Sequence, residues 1–553
     1  MTTTTTAGTT TAGTAARPFG IDLGTTHSCL AYIDDAGKPV VVRTVNGDET
    51  LPSVVYFEAP GQVTVGKAAR NAAVAAPHLV SRLVKRKMGR VDAVETYHGR
   101  DYRPEEISAL ILRELVRATE ENSGQVVREV VITVPAYFGV AERRATRRAG
   151  EIAGLVVRDV LAEPVSAALH YQSVGISDRV RHLLVCDLGG GTYDTTVLRL
   201  EGHEVHVVCT DGDLALGGAD WDELIRADLV AQFAAAHPAL DPTADLVFRQ
   251  DVDELAEQLK RDLSHVQTKR VDLRFRGAVG KVELTRARLE ELTAGLLDRV
   301  VEVTERTMAK ARRAGVTEFD EVLLVGGMSK VPSVRTALRD RLGLRGRAFE
   351  PDLAVAKGAA LYAVIDKLKV SGGPEEDSVR AVAAMLGADE ERVRGLARTT
   401  VNTTVPRGFG VMGVDARDPV VLTDPLAARK MIVHLLPADT PLPADSGPFT
   451  FLTSVPNQRM VEIEVWEQTS PEESEDLADN VRIGRGLLKG IPAMPARSPL
   501  EVTFFMSATG ELTVSATEPT SRAAVQFELH IGGMDEAELK RSTRDIGGFE
   551  VSG

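Results

Sequence analysis

The sequence predicts an α/β domain of two like lobes, followed by an all-β sandwich domain. A repeated hairpin predicts the lobes. Residues 183–198, LLVCDLGGGTYDTTVL, read as strand, tight turn, strand, and residues 19–33, FGIDLGTTHSCLAYI, repeat the pattern. Asp22-Leu23-Gly24 stands 165 residues before its match, Asp187-Leu188-Gly189. Period-two alternation after residue 401 predicts the sandwich: Val461, Ile463 and Val465 alternate with Glu462, Glu464 and Trp466.

The hairpin carries the chemistry. Successive glycines let a backbone approach a ligand, and their N–H groups form an anion-binding nest. Thr192 adds a hydroxyl, as do Thr25 and Thr26 in the first copy. Bare carboxylates at Asp187 and Asp194 would repel a phosphate. They make sense around Mg2+, which is held by one or two carboxylates, its own waters and phosphate oxygens. The plain alternative is a hairpin that merely needs glycine, and the second copy weighs against it. Two equivalent turns suggest two half-domains clamping one polyphosphate. Neither turn is GxxxxGK[ST], and neither is a GxGxxG turn opening a helix.

The 553 residues carry 65 basic and 79 acidic side chains, a formal charge of −14. That length expects two or more domains. The charge argues against a nucleic-acid partner, whose hold rests on neutralising phosphates. Cys29, Cys186 and Cys209 lie in apolar, β-prone contexts without zinc-ligand spacing, which suits a reduced, cytoplasmic protein. Residues 1–17 read as a disordered tail of threonine, alanine and glycine rather than a signal or anchor. No run approaches the roughly 18 apolar residues of a membrane span.

In order along the chain, 66–88 is helix-prone and basic. Residues 104–122 form a better helix, opened by Pro104 and with Ile107, Leu110, Ile111 and Leu115 on one face. A buried strand at 130–134 ends at Pro135, an arginine-rich helix spans 141–154, and Glu163-Pro164 opens another. A loop with Gly217 and Gly218 precedes a long helical region, 221–269. Within it Glu257, Lys260, Arg261 and Ser264 fall on one face, an arrangement that is ordinarily solvated surface. Residues 322–331 read as strand, Gly326-Gly327, helix start. The composition changes at 371–400. The division is a nucleotide-binding domain at 18–368, a linker with some helix at 369–400, a β-sandwich at 401–532, and a polar tail at 533–553.

These residues resemble the seventy-kilodalton heat-shock chaperones of the DnaK type. The motifs are IDLGTTHSC at 21–29, VPAYFGVAERRAT at 134–146, AEPVSAAL at 162–169, CDLGGGTYD at 186–194, LGGADWD at 216–222, LVGGMSKVP at 324–332 and PDLAVAKGAAL at 351–361. The resemblance implies an actin-like ATPase domain that uses ATP/ADP and Mg2+, followed by a domain that holds unfolded or extended client polypeptides. It implies Asp22, Glu163 and Asp187 around the Mg2+ shell. Gly24, Thr25, Thr26, His27 and Gly189, Gly190, Gly191 and Thr192 fall at the phosphates, and Asp194 is a ligand or a base near the attacking water. Glu257, Lys260, Arg261 and Ser264 match the adenosine wall. Gly217, Gly218, Gly326, Gly327 and Asp352 line the rest of the pocket. Pro135 and Arg143 resemble the relay between domains. Val411, Val414, Phe451, Val461, Ile463 and Ile491 fall where the family's peptide cleft is lined, with ordinary core as their alternative reading.

Four departures stand out. The lysine that orients the attacking water in the family is matched here to Arg70, whose planar guanidinium is no substitute for a compact ammonium. Asp159 stands where the family has an arginine used by J-domain partners, which speaks against such a partner while leaving a nucleotide exchange factor open. The leucine-rich linker is replaced by 371–400, and little follows Gly532 to make the α-helical lid. The expected function is a slow ATP-dependent chaperone. The competing reading is a nucleotide-gated binding module with little or no ATPase activity. A filament-forming actin-like protein or sugar kinase would not explain the β-domain.

Overall fold

The computed structural model describes residues 17–175, 179–520, 524–528 and 534–553. Of the tail expected at 1–17, residues 1–16 lie outside the described residues, as does Gly532, while Arg17 is half-buried and bonds Asp35 and the Leu386 carbonyl.

The two hairpins open two sheets of matching plan. In the first, Phe19–Asp22 pairs antiparallel with His27–Ile33 and parallel with Glu129–Val134, which pairs in turn with Val156–Ala162. In the second, Arg181–Leu188 pairs antiparallel with Tyr193–Glu201 and parallel with Glu321–Val325. Asp22 and Asp187 thus occupy the same place, at the end of a strand flanked on both sides. Between the sheets lie the helices Glu163–Val174 and Ala354–Val370, packed through small residues. A Cβ on Gly358 would meet the Ser166 carbonyl oxygen at 1.7 Å, and one on Gly20 would meet the Ala360 nitrogen at 2.1 Å. The two lobes therefore share a rigid floor. Above it, a cleft runs between a small sheet with the helix Lys67–Ala75 and the helices Gly218–Ala236 and Leu246–Leu263.

Several expectations are corrected. The region 66–88 is helical only over Lys67–Ala75; Pro77 ends that run, and Val80–Ser81 and the short turn Val84–Lys87 follow. The single helical region at 221–269 is two helices, broken after Ala236 by His237-Pro238. The linker with some helix expected at 369–400 does hold helices, and these are packed on the first lobe. Glu376–Leu386 and Glu390–Ala397 are helices whose Val379, Val382, Leu386 and Val393 pack on Ala31 and Ile33 of the first lobe. Thr400–Asn402 then adds a parallel strand to Glu204–Asp213 at the edge of the second sheet.

The β-domain is two packed sheets. One has the order Lys430–Leu436, Phe409–Val414, Met460–Gln468, Asn480–Lys489. The other is centred on Pro499–Met506 and Leu512–Thr517. Val411, Ile463 and Ile491 are buried between them with Phe504 and Val514, as the core reading has it, while Phe451, Val461 and Val414 are half-buried. The expected polar tail is instead the helix Glu536–Gly547 and the strand Glu550–Ser552. The strand pairs parallel with Gln62–Val65, and Met534, Ile546 and Phe549 sit in the core of the first lobe.

Candidate functional site

The two Asp-Leu-Gly turns meet tip to tip. A Cβ on Gly190 would lie 2.4 Å from the Thr26 side chain, and one on Gly191 would lie 2.5 Å from Thr25. Each turn is locked from within. Gly24 N–H donates to Ser28 Oγ at 3.1 Å and Gly189 N–H to the Thr192 carbonyl at 3.0 Å. Among the described residues, the N–H groups of Thr25, Thr26, Gly190, Gly191 and Thr192 donate to no protein acceptor. Such a cluster of free donors is an anion nest. The loop at Gly217 and Gly218 closes behind it, with Gly218 and Ala219 N–H donating to the carbonyls of Gly189 and Gly190 at 3.0 and 2.9 Å.

Beneath the nest lie four carboxylates, of which Glu163, Asp187 and Asp194 are buried and Asp22 is half-buried. Burial, with the Glu163 charge next, raises the Asp22 and Asp194 carboxyls to about 7 and the Asp187 carboxyl well above its ordinary range. Lys85 Nζ lies 2.5 Å from Glu163 Oε1, with Lys85 only 4% exposed. Tyr137 N–H donates to Asp194 Oδ1 at 2.9 Å, while Asp194 Oδ2 is buried without a partner. One ammonium cannot neutralise four acids, so the cluster suits a hard cation. Among the described residues no three His, Cys, Asp or Glu side chains converge to cage a metal. The donor set therefore fits an ion held through its waters and a ligand's phosphate oxygens, as Mg2+ is held.

Arg70 does not join this cluster. From the helix Lys67–Ala75 it pairs with Glu257 at 2.7 Å and Glu254 at 3.8 Å, bridging the lobes across the rim of the cleft. The cation at the carboxylates is Lys85. The early end of the first helix turns the chain inward there, and the basic run Lys85-Arg86-Lys87 is the signal that marks it. Arg86 was also missed: its Nε donates to the Gly191 carbonyl at 2.9 Å, and it pairs with Asp220, bracing the second turn from outside.

The helix Leu246–Leu263 forms the opposite wall of a cleft of about 740 Å3, which also holds His27, Gly326, Gly327 and Asp352. Glu257, Lys260, Arg261 and Ser264 line it, so this stripe faces the cleft rather than open solvent on the outside of the lobe. Lys260 is buried, with Nζ 2.9 Å from the Gly218 carbonyl and 2.7 Å from Asp222. Arg261 is largely exposed and pairs with Glu257. Gly326, at φ +78°, lies where a Cβ would meet the Leu188 carbonyl at 2.3 Å. Burial lowers the His27 imidazole to about 4, so it is neutral.

A short turn links this site to the β-domain. After Pro135, Tyr137 OH donates to the Ser470 carbonyl at 3.2 Å and Val140 N–H to Glu467 Oε1 at 3.1 Å. Arg407 stacks 4.8 Å over the Tyr137 ring and lies 3.6 Å from Glu142 and 3.9 Å from Glu467. Arg143 is spent on the carbonyls of Phe138 and Val160. Asp159 turns inward to Tyr362 OH at 2.8 Å. Arg407 and Glu467 carried no sequence signal, because their partners are far along the chain. No helix among the described residues is long and apolar enough to cross a membrane, and all three cysteines are buried and free. A family model described as Hsp70 protein matches residues 18–372.

Proposed function

The chain belongs to the Hsp70 family, whose members are ATPases and chaperones, and on that premise we propose that it is a slow ATP-dependent chaperone acting on extended apolar segments of client polypeptides. The observation that carries the reading is the tip-to-tip meeting of the two turns over four carboxylates and Lys85.

In this reading the free N–H groups of 25–26 and 190–192 hold the phosphates of ATP. Hydrolysis of a phosphoanhydride needs positioning and charge stabilisation rather than a covalent intermediate. Asp22, Glu163 and Asp187 would hold Mg2+, which would supply charge stabilisation when bound. Lys85, fixed by Glu163, orients the attacking water, and Asp194, fixed by Tyr137 N–H, accepts a hydrogen bond from it through Oδ2. Lys260, Arg261 and Ser264 take the adenosine, with Gly326 and Gly327 opposite. Closure of the lobes moves Tyr137 and Val140 against Ser470, Glu467 and Arg407, and so biases the β-domain, whose client contact is the half-buried set Val414, Phe451 and Val461. The competing reading, a nucleotide-gated binding module with little or no ATPase activity, rests on Arg70, which pairs with Glu254 and Glu257 at the rim; the turnover measurement below separates the two readings.

Steady-state ATP turnover and calorimetry with MgATP test the reading. The wild type should turn over slowly and only with Mg2+. Asp22→Asn and Gly190→Val should each weaken MgATP binding by at least about a hundredfold, the second by driving a side chain into Thr26. Unchanged affinity in both variants would refute the site.

A further inference from the structure

The segment 534–552 is bound to the first lobe by three independent kinds of contact. Its helix Glu536–Gly547 opens with a capping box, Asp535 with Glu538, and lies along the helices Pro104–Ser123 and Val140–Ile152. Its strand Glu550–Ser552 pairs parallel with Gln62–Val65 in exact side-by-side register, Val551 against Val63, with Gln62 Nε2 donating to Glu550 and Thr64 bonded to Ser552 at 3.1 Å. Met534, Ile546 and Phe549 enter the lobe's apolar core, the Phe549 ring standing edge-on to Tyr102 at 6.2 Å.

Arginines of the lobe hold the segment from outside. Arg113 donates to the carbonyls of Ile546 and Phe549, Arg103 pairs with Glu538 at 3.0 Å, Arg148 pairs with Glu536, and Arg100 lies 3.5 Å from Asp545. The helix Val140–Ile152 is gripped twice: by Glu467 of the β-domain at its first residue, and by Glu536 at Arg148. The β-domain is thus attached to the lobes on both sides, by Thr400–Asn402 entering it and by 534–552 leaving it.

We propose that 534–552 is a clasp that keeps the β-domain docked on the ATPase lobes whether or not nucleotide is bound. A domain held at both ends re-docks intramolecularly, at an effective concentration set by the short connections. Undocking at one end is then reversed before the other end opens. The consequence is a chaperone-like molecule in which nucleotide changes the fit of the interface rather than the association of the domains. This goes beyond the proposed function, and the nucleotide-free arm of its test does not depend on ATP binding or turnover.

Amide hydrogen exchange on the full chain tests the clasp, without nucleotide and with MgATP. In the wild type, amides of 400–402 and of Val140 should keep the same protection in both states, within roughly threefold. Val551→Asp puts a charge beside Val63 and should open 62–65. It should also raise exchange at 400–402 by at least about tenfold without nucleotide. Arg113→Ala, a change at a half-buried residue outside the apolar core, should move both regions in the same direction by a smaller factor, and carries the test if the first variant fails to fold. Raised salt should add to the effect of Arg113→Ala, because three of the contacts are partly exposed ion pairs. The clasp is refuted if 62–65 opens in either variant while 400–402 and Val140 keep their protection. It is also refuted if the wild type itself loses protection at 400–402 when nucleotide is absent.

Discussion

The inter-lobe cleft and the β-domain differ in what they leave unpaired. In the cleft, five backbone N–H groups point at no acceptor among the described residues, Asp194 Oδ2 has no partner among them either, and three carboxyls are pushed upward by burial. Each feature costs stability in the empty protein, and each is relieved by a phosphate ligand with its cation. In the β-domain, Val411, Ile463 and Ile491 are already satisfied, closed against Phe504 and Val514. A site for a charged ligand announces itself by unsatisfied groups. A site for an apolar peptide has no such mark, because its lining and a hydrophobic core are made of the same residues.

The largest effect separates the two cations of the cleft. Lys85 touches the carboxylates and Arg70 touches only the rim. Lys85→Ala should lower the single-turnover hydrolysis rate by about 10²–10³-fold, the usual loss when a preorganised charged donor is removed. It also leaves Glu163 without its partner, so Lys85→Arg is a useful second variant: it keeps the charge and should still lose most of the rate. Arg70→Ala should leave the chemical step within about threefold, because the residue lies outside the reacting groups. Equal losses from Lys85→Ala and Arg70→Ala would erase the distinction.

An intermediate effect lies at the boundary between the regions. Glu467 is 1% exposed, and burial raises its carboxyl to about 7 from an ordinary 4.5, although Arg407 pulls the other way. The groups facing it are Arg407 from its own domain and Glu142, Arg143 and the Val140 N–H from the lobe. The folded protein holds this proton where the unfolded chain has released it. The associated stability is full below about pH 4.5 and is lost as pH rises through about 7. Thermal stability should therefore fall between about pH 5 and pH 8 by roughly 1–3 kcal/mol more in the wild type than in Glu467→Gln, which cannot titrate. Parallel curves for the two proteins would show that Arg407 keeps Glu467 ionised throughout.

How much the sequence disclosed follows the same division. The turns were readable because an Asp-Leu-Gly step with following threonines fixes its own backbone; helical spacing puts Glu257, Lys260, Arg261 and Ser264 on one face but does not tell a ligand wall from solvated surface, and only the family resemblance pointed to a wall. Lys85 was hidden by a basic, helix-prone context, and only the break after Ala75 turns it inward. Some helix was expected at 369–400, but its packing on the first lobe was masked by acidic composition, although Val379, Val382 and Leu386 keep a helical spacing that suits burial. At 534–553 the apolar residues Met534, Ile546, Phe549 and Val551 are diluted among charges. Their partner surface is the first lobe, more than 400 residues earlier in the chain. No local pattern encodes such a docking. Arg407 and Glu467 are unreadable for the same reason: their contacts to Tyr137, Val140 and Glu142 of the lobe exist only once both domains are folded.

The smallest effect decides what the β-domain face is for. Ile463 and Val461 lie two residues apart on one strand, so both point to the same side of the sheet, yet Ile463 is 4% exposed and Val461 is half-buried. If the face is only core, both act through stability alone. Ile463→Ala should cost roughly 2–4 kcal/mol, Val461→Ala less than half of that, and a fluorescent apolar peptide should bind neither variant differently from the wild type once both are folded. If Val461 is a client contact, the balance changes. Val461→Ala removes two methyl groups from a surface that the peptide covers, so affinity should fall by roughly three- to tenfold with little change in melting temperature. Most of that loss should appear as faster release, since related complexes differ mainly in their off-rates. Ile463→Ala should then do the reverse, lowering the melting temperature while leaving release nearly unchanged. Peptide release in stopped flow beside thermal unfolding separates these outcomes. A peptide that binds equally to all three proteins would move the client surface away from this strand, and would leave the β-domain as the partner of the ATPase lobes through Glu467, Arg407 and Ser470.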